Sequence, residues 1–132
     1  MTSVGIIGFG RFGKVLANIL QKGFAIKVYD ENQNPSMHGI EKSSLDDVLN
    51  EKTVFVAVPI REFDNVINKI SPLLKKGTTV IDVCSVKIHP TEIMIKKLDP
   101  SIGIIATHPM FGPDSFLSNN KLKIMMNNTR DT

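Results

Sequence analysis

A glycine-rich hexamer, Gly8-Phe9-Gly10-Arg11-Phe12-Gly13, stands between an apolar run, Val4 to Ile7, and a stretch with apolar residues at helical spacing. This pattern predicts a strand, a tight turn and a helix, and a second β-rich run follows at Ala25 to Tyr29. Such a unit places two parallel strands in one sheet, with the helix packed against it. The hexamer therefore predicts an α/β fold with a parallel sheet.

Strand-like and helix-like segments continue to alternate along the chain. A serine cap at Ser44 predicts a short helix, and an apolar stripe from Phe63 to Ile70 predicts a longer one. Pro90 can begin a third helix that runs to about Leu98. Further strands are predicted at Thr53 to Val58, Thr78 to Val83, Ile102 to Ala106 and Leu122 to Met126. We therefore expect residues 1–132 to form one Rossmann-type domain, a doubly wound, mainly parallel sheet with helices on both faces.

Three segments do not fit the alternation of strands and helices. The stretch from Glu31 to Ser43 is polar and contains Pro35 and Gly39, so any crossover helix there should be very short or absent. Ser71-Pro72 should interrupt the helix predicted from the Phe63 to Ile70 stripe, with Ser71 as the cap of a new turn. Residues 127–132 are polar, and we expect no regular structure in them.

Composition excludes several classes of protein. The chain has 132 residues, of which 42% are hydrophobic and 22% charged, and these values suit a soluble domain with a real core. The net charge of +3 comes from scattered lysines, with pairs such as Lys75-Lys76 and Lys96-Lys97 where helices should end, which argues against nucleic-acid binding. No apolar run suits a membrane span or a signal peptide, so we expect a cytoplasmic protein. Cys84 is the only cysteine, which excludes an internal disulfide and leaves buried packing or a reactive thiol.

The glycines of the hexamer have separate tasks in a dinucleotide site. Gly8 permits a tight turn, Gly10 lets the backbone approach a pyrophosphate, and Gly13 lets the helix pack close to the sheet. The amides and the positive helix end near Arg11 and Phe12 favour the phosphates. Asp30 follows the second strand, where a carboxylate accepts hydrogen bonds from ribose hydroxyls. The alternative is that the glycines only make a turn and Asp30 only caps a loop.

Asp30 also bears on the choice of cofactor. A carboxylate accepts from the 2′-hydroxyl of NAD but repels the 2′-phosphate of NADP, and Glu31 adds negative charge. NAD is therefore the expected cofactor, with NADP as the alternative because Arg11 could meet an additional phosphate. Val58 and Pro59, at the end of the strand after Ser44, complete the expected cofactor contacts.

Ligands of doubly wound sheets bind at the carboxyl ends of the strands, where Pro59, Ser85 and His108 are all expected. His108 could act as a general base near neutral pH, and Ser85 could orient it or bind a substrate hydroxyl while also contacting the cofactor. Both residues could instead be structural. Lys87 could attract a substrate carboxylate or be a solvated charge. The segment Met110-Phe111-Gly112 could wall a substrate pocket or cover the domain surface, and no metal ion is expected.

The hexamer, Asp82-Val83-Cys84-Ser85-Val86-Lys87 and Thr107-His108-Pro109-Met110-Phe111-Gly112-Pro113 together resemble the prephenate and arogenate dehydrogenase family, especially its arogenate-type members. The resemblance covers nearly the whole chain as the family's N-terminal nucleotide domain. It implies oxidative decarboxylation of a cyclohexadienol in tyrosine biosynthesis, with hydride transfer to NAD(P). In that scheme His108 takes the hydroxyl proton, and Ser85 positions the histidine and the substrate.

The family's helical C-terminal domain, which binds the substrate carboxylate and forms the dimer, has no counterpart in the sequence. The chain could be a fragment, one of two partner chains or a stand-alone domain. We expect a small-molecule substrate, prephenate or arogenate, and either a homo-oligomer or a missing second domain. A binding module that holds NAD without turnover, or another reductase of the same superfamily, stays open.

Overall fold

Among the described residues, seven strands form one sheet. The computed structural model describes residues 2–31, 38–83, 88–109 and 124–130, with side chains for residues 2–31, 38–83 and 90–106. The strands are β1 (Ser3–Ile7), β2 (Ala25–Tyr29), β3 (Ile40–Lys42), β4 (Thr53–Val56), β5 (Thr79–Asp82), β6 (Gly103–Pro109) and β7 (Ile124–Arg130). Their order is β3-β2-β1-β4-β5-β6-β7, and only the pairing of β6 with β7 is antiparallel within these residues. The first six strands have the order of a Rossmann-type doubly wound sheet, which confirms the predicted fold class.

The described helices lie on both faces of this sheet. They are α1 (Arg11–Leu20), α2 (Leu45–Leu49), α3 (Ile60–Ile70) and α4 (Ile88–Lys97), and a short 3-10 helix covers Ser71–Leu73. Buried residues of α1 pack against one face, whereas those of α2, α3 and α4 share a core with the other. The central strands therefore bury both of their faces. In β1, for example, Ile6 packs on the α1 side and Ile7 on the α3 side.

Most predicted elements are confirmed, within a few residues at their ends. Ser44 caps α2 as expected, because its Oγ accepts a hydrogen bond from the backbone N–H of Asp47 at 3.2 Å. Helix α4 begins two residues before Pro90, at Ile88. This position still suits proline because the N–H groups of the first helical turn have no partner within the helix.

Two predictions at the level of single elements are wrong, and one strand was not predicted. That strand is β3, in the polar stretch before Ser44, whose short ladder with β2 does not require an apolar sequence. Ser71 does not cap a new turn, because its hydroxyl donates to the carbonyl oxygen of Lys97 at 2.6 Å. Residues 127–130 are not irregular, since they extend β7 along β6. In each case a partner that is distant in the sequence determines the structure.

A polar cluster joins β1 and β2 to the segment after α2. The Oγ of Ser3 donates to one oxygen of Glu51, and the Nζ of Lys27 lies 3.0 Å from the other. Burial acts to raise the pKa of the Glu51 carboxyl, but the hydrogen bonds from Ser3 and Lys27 and the charge of Lys27 outweigh it and lower the pKa. The hydrogen bond to Glu51 in turn raises the pKa of Lys27. Ser3 begins β1 and Glu51 precedes β4, so the cluster lies toward the amino ends of the strands, whereas the glycine turn lies at their carboxyl ends.

No described helix is long and apolar enough to span a membrane.

Candidate functional site

The turn between β1 and α1 depends on close backbone approaches. Gly8 has φ +110°, a value that side chains rarely allow, and a Cβ there would lie 2.5 Å from the carbonyl oxygen of Ala57. A Cβ on Gly13 would collide with the carbonyl oxygen of Gly8. Both positions therefore require glycine because the turn, α1 and the end of β4 are in direct backbone contact.

Gly10 differs from the other two glycines of the hexamer. It is the N-cap residue of α1, and a Cβ built on it would have no heavy atom within 4 Å. The first turn of α1 contains no acidic residue, so its backbone N–H groups and positive dipole end adjoin this open space without a neighbouring carboxylate from that turn. An anionic group such as a pyrophosphate fits this position, and a side chain on Gly10 would take its place.

Two hydrogen bonds fasten the end of β2 to the glycine turn. The backbone N–H of Phe9 donates to Oδ2 of Asp30 at 2.6 Å, and the N–H of Gly8 donates to the carbonyl oxygen of Tyr29 at 2.8 Å. The Phe9 side chain is 2% exposed and belongs to the core on the α1 side. Phe9 therefore anchors the turn with its side chain and holds the Asp30 carboxylate with its backbone.

An open cleft of about 300 Å³ lies at the carboxyl edge of the strands, beside this turn. Gly8, Gly10 and Asp30 line it on one side, and Val58 and Pro59 line it after β4. The rest of the wall includes one stripe of α3, with Glu62, Val66 and Lys69 at helical spacing. The described structure thus brings together Gly8 and Gly10, the carboxylate predicted to bind the ribose, and the two residues predicted as cofactor contacts near the end of β4.

Charges around the cleft are unevenly distributed. Asp30 and Glu31 follow β2, and Glu62 lies in the first turn of α3, where a carboxylate also suits the helix dipole. Lys69 lies in the last turn of the same helix, and its Nζ is 5.8 Å from the centroid of the Tyr29 ring. Arg61 also lines the cleft beside Glu62, so the start of α3 carries charges of both signs, and Lys69 adds a further cation in the last turn.

The other predicted site residues are placed less fully. Arg11 is exposed at the first position of α1, and Phe12 is half-buried against the core on the α1 side. The backbone of His108 lies in the last part of β6, in register with Met125 of β7, so it belongs to the strand rather than to a following loop. The remaining predicted site residues lie outside the described part of the chain: Ser85, Lys87, Met110, Phe111 and Gly112.

Several residues that line the cleft were not predicted from the sequence. Tyr29 was predicted only as the end of a strand, and Val66 only as part of the apolar stripe of a helix. No role was predicted for Glu62 or Lys69, which also line the cleft. The spacing of Glu62, Val66 and Lys69 could have indicated them, because residues three or four positions apart share one face of a helix. A helix that starts at the carboxyl edge, after Val58 and Pro59, can turn such a face toward the cleft. Within residues 2–31, 38–83, 88–109 and 124–130, no group of three or more His, Cys, Asp and Glu could hold a metal ion.

The strand order, the glycine turn and the acidic residue after β2 define a nucleotide-binding domain of the dehydrogenase class. Residues 17–125 match the family model described as "Prephenate dehydrogenase, nucleotide-binding domain". Because this match covers more than half of the chain, the chain belongs to that family.

Individual relatives agree with this assignment. The chain is 32% identical over 120 residues to arogenate dehydrogenase 1, chloroplastic, of Arabidopsis thaliana, which covers 85% of the chain and 19% of that protein. It is 37% identical over 62 residues to a probable arogenate/prephenate dehydrogenase of Methanocaldococcus jannaschii, covering 47% of the chain and 14% of the relative. The chain thus spans less than a fifth of the length of these two relatives.

Solved structures show the same fold. Prephenate dehydrogenase from Aquifex aeolicus superposes with a TM-score of 0.76 at 24% identity, over 100% of this chain and 54% of that one. Glycerol-3-phosphate dehydrogenase from Coxiella burnetii gives 0.78 at 16% identity, over 97% and 47%. Structural likeness of this degree covers several kinds of reductase, so the fold alone does not select the substrate.

Proposed function

We propose that this chain is the nucleotide-binding part of an NAD-dependent dehydrogenase that acts on prephenate or arogenate in tyrosine biosynthesis. The observation that carries the proposal is the contact of the Phe9 N–H with Asp30, which holds a carboxylate beside the open position at Gly10. Family membership supplies the substrate class. The cytoplasmic location expected from the sequence stays a prediction.

Charge around the cleft supports NAD over NADP. A ribose on Asp30 would have its 2′-hydroxyl close to Asp30 and Glu31, which accept hydrogen bonds but repel a phosphate. On the facing helix, the charges of Glu62 and Arg61 oppose each other, so the preference rests on Asp30 and Glu31. Two residues could favour NADP: Arg11, the first residue of α1, which lies nearer to the glycine turn, and Arg61 near the start of α3.

His108 and Ser85 are the proposed residues for the chemistry. When bound, the nicotinamide supplies the hydride acceptor. His108 takes the proton of the ring hydroxyl, the hydride leaves the carbon that carries this hydroxyl, and the bond to the ring carboxylate breaks to release carbon dioxide. The electron pair of that bond completes the aromatic ring. Ser85 orients the histidine and the substrate, and Lys87 attracts a substrate carboxylate.

Titration of the purified chain with NAD tests the binding half of this proposal. Tyr29 is the only tyrosine, the chain has no tryptophan, and Tyr29 lines the cleft, so its fluorescence reports the site directly. NAD should change this signal saturably, and Gly10→Val should abolish the change without altering the far-ultraviolet circular dichroism. No response to millimolar NAD, together with no heat of binding, would contradict the proposal.

An assay with prephenate and arogenate tests the catalytic half. Oxidation of either substrate, followed by the absorbance of NADH, would support the dehydrogenase. NAD binding without turnover, even after addition of the remaining part of a family member, would instead favour a binding module.

A further inference from the structure

Lys69 is an exposed residue in the wall of the cleft. Its Nζ lies 5.8 Å from the centroid of the Tyr29 ring, a distance at which a cation is attracted to the ring face. Tyr29 is half-buried and packs against the core on the α3 side, so its ring is held by the fold. Both residues line the cleft. The ring therefore attracts the ammonium group of Lys69 to the cleft wall.

Lys69 lies in the last turn of α3, whereas the glycine turn lies at the carboxyl edge where α3 begins. Glu62, Val66 and Lys69 form one stripe of α3, and the rise from Glu62 to Lys69 is about 10 Å at 1.5 Å per residue. Helix α3 begins directly after Pro59, at the carboxyl edge of the sheet where the glycine turn also lies. The cleft thus leads from the phosphate turn and Asp30 toward the last turn of α3.

The direction of the cleft determines which part of a dinucleotide meets Lys69. With the pyrophosphate at Gly10 and the ribose on Asp30, the adenine ring extends further into the cleft. Its ring nitrogens accept hydrogen bonds, and a lysine ammonium is purely a donor. The wall near this end is apolar at Val66 and Ile70 and suits the faces of a flat base.

We propose that Lys69 is a specificity-determining residue for the adenine base, whose far edge accepts a hydrogen bond from the Lys69 ammonium group beside the Tyr29 ring. This inference rests on the proposed function, because it requires a dinucleotide in the cleft. It assigns to the last turn of α3 a role in recognising the base, separate from the ribose recognition at Asp30.

The test compares NAD with 1,N6-etheno-NAD, in which an etheno bridge blocks the far edge of the adenine and enlarges it. Both cofactors are titrated into the unmodified chain, into Lys69→Met and into the control Lys76→Met, with calorimetry and Tyr29 fluorescence as readouts. Lys76 is exposed and does not line the cleft, so its substitution removes the same charge elsewhere. Methionine keeps most of the lysine stem and removes the donor.

The unmodified chain and Lys76→Met should prefer NAD over the etheno derivative. Lys69→Met should weaken NAD roughly two- to tenfold, the range of one hydrogen bond, and leave the etheno derivative nearly unchanged. Equal NAD affinity in Lys69→Met and Lys76→Met would overturn the role of Lys69 while leaving the proposed function intact. Absence of NAD binding by the unmodified chain would overturn both.

Discussion

Asp30 offers the sharpest test of how the cleft works, because the structure gives its carboxylate two tasks. It accepts a hydrogen bond from the backbone N–H of Phe9 in the glycine turn, and it lines the cleft at the proposed ribose position. Asp30→Ala removes both tasks, whereas Asp30→Asn removes the charge and keeps a carbonyl oxygen that can accept from Phe9. The two variants should therefore differ.

The magnitudes follow from the two interactions. A hydrogen bond to a charged group contributes about 1.5 to 3 kcal/mol, so loss of the Phe9 contact sets an upper limit of roughly 10- to 150-fold on the weakening of both cofactors in Asp30→Ala. A like charge at 4 Å costs about 1 kcal/mol in water and about 4 kcal/mol near a protein surface. The unmodified chain should therefore prefer NAD over NADP by roughly 5-fold to several hundred-fold.

Calorimetric titration of both cofactors into the three proteins separates the tasks. Asp30→Asn should weaken NAD moderately and strengthen NADP, so that the two affinities converge. Asp30→Ala should weaken NAD further and gain less for NADP than Asp30→Asn does. Identical behaviour of the two variants would refute the bracing role, and tighter NADP binding by the unmodified chain would refute the charge argument.

Four further predictions concern stability, pH and turnover. Gly10→Val should keep the fold and lose cofactor affinity, whereas Gly13→Ala should lower the thermal midpoint of unfolding because its Cβ meets the Gly8 carbonyl oxygen. Equal thermal midpoints of the two variants would contradict this difference. His108→Asn should preserve NAD affinity and reduce turnover of an active assembly by roughly 100- to 10,000-fold, and an unchanged rate in a chemistry-limited assay would make the histidine structural. The lowered pKa of Glu51 stabilises the folded chain above the ordinary value of 4.5, and this contribution is lost as pH falls through the folded pKa. Urea titrations across acid pH should therefore show that the free energy of unfolding depends less on pH in Glu51→Gln than in the unmodified chain. The same dependence in both would refute the stabilising role of the cluster. These 132 residues alone should bind NAD but turn over prephenate or arogenate slowly, because proximity and orientation supply about 7 to 11 kcal/mol; steady-state rates equal to those of a full-length relative would disprove this.

The sequence predicted the fold where local pattern and packing agree. The hexamer between two apolar runs led to β1, α1 and β2, and Ser44 fixed the start of α2, because a turn residue or a cap acts within a few positions of the chain. β7 was predicted only in its apolar first part. Its polar residues take up strand geometry through pairing with β6, which local propensity does not encode.

The candidate site shows the same division. The glycines, Asp30, Val58 and Pro59 were predicted because their tasks follow from backbone geometry at the carboxyl edge. Lys69 was not, since its role depends on the angle of α3 and on the Tyr29 ring, which lies 40 positions earlier in the chain. The contact between Phe9 and Asp30 was not predicted either, because the hexamer already explained Phe9 and ribose binding already explained Asp30.

Among the described residues, those that line the cleft lie between positions 7 and 70, whereas the proposed catalytic and substrate residues lie between 85 and 112. The described wall of the cofactor site is therefore encoded in the part of the chain that is synthesised first, and the proposed chemistry in the part that follows. A ligand that binds only folded chains stabilises the elements that form its site. Bound NAD should thus stabilise the folded arrangement of the elements from β1 to α3.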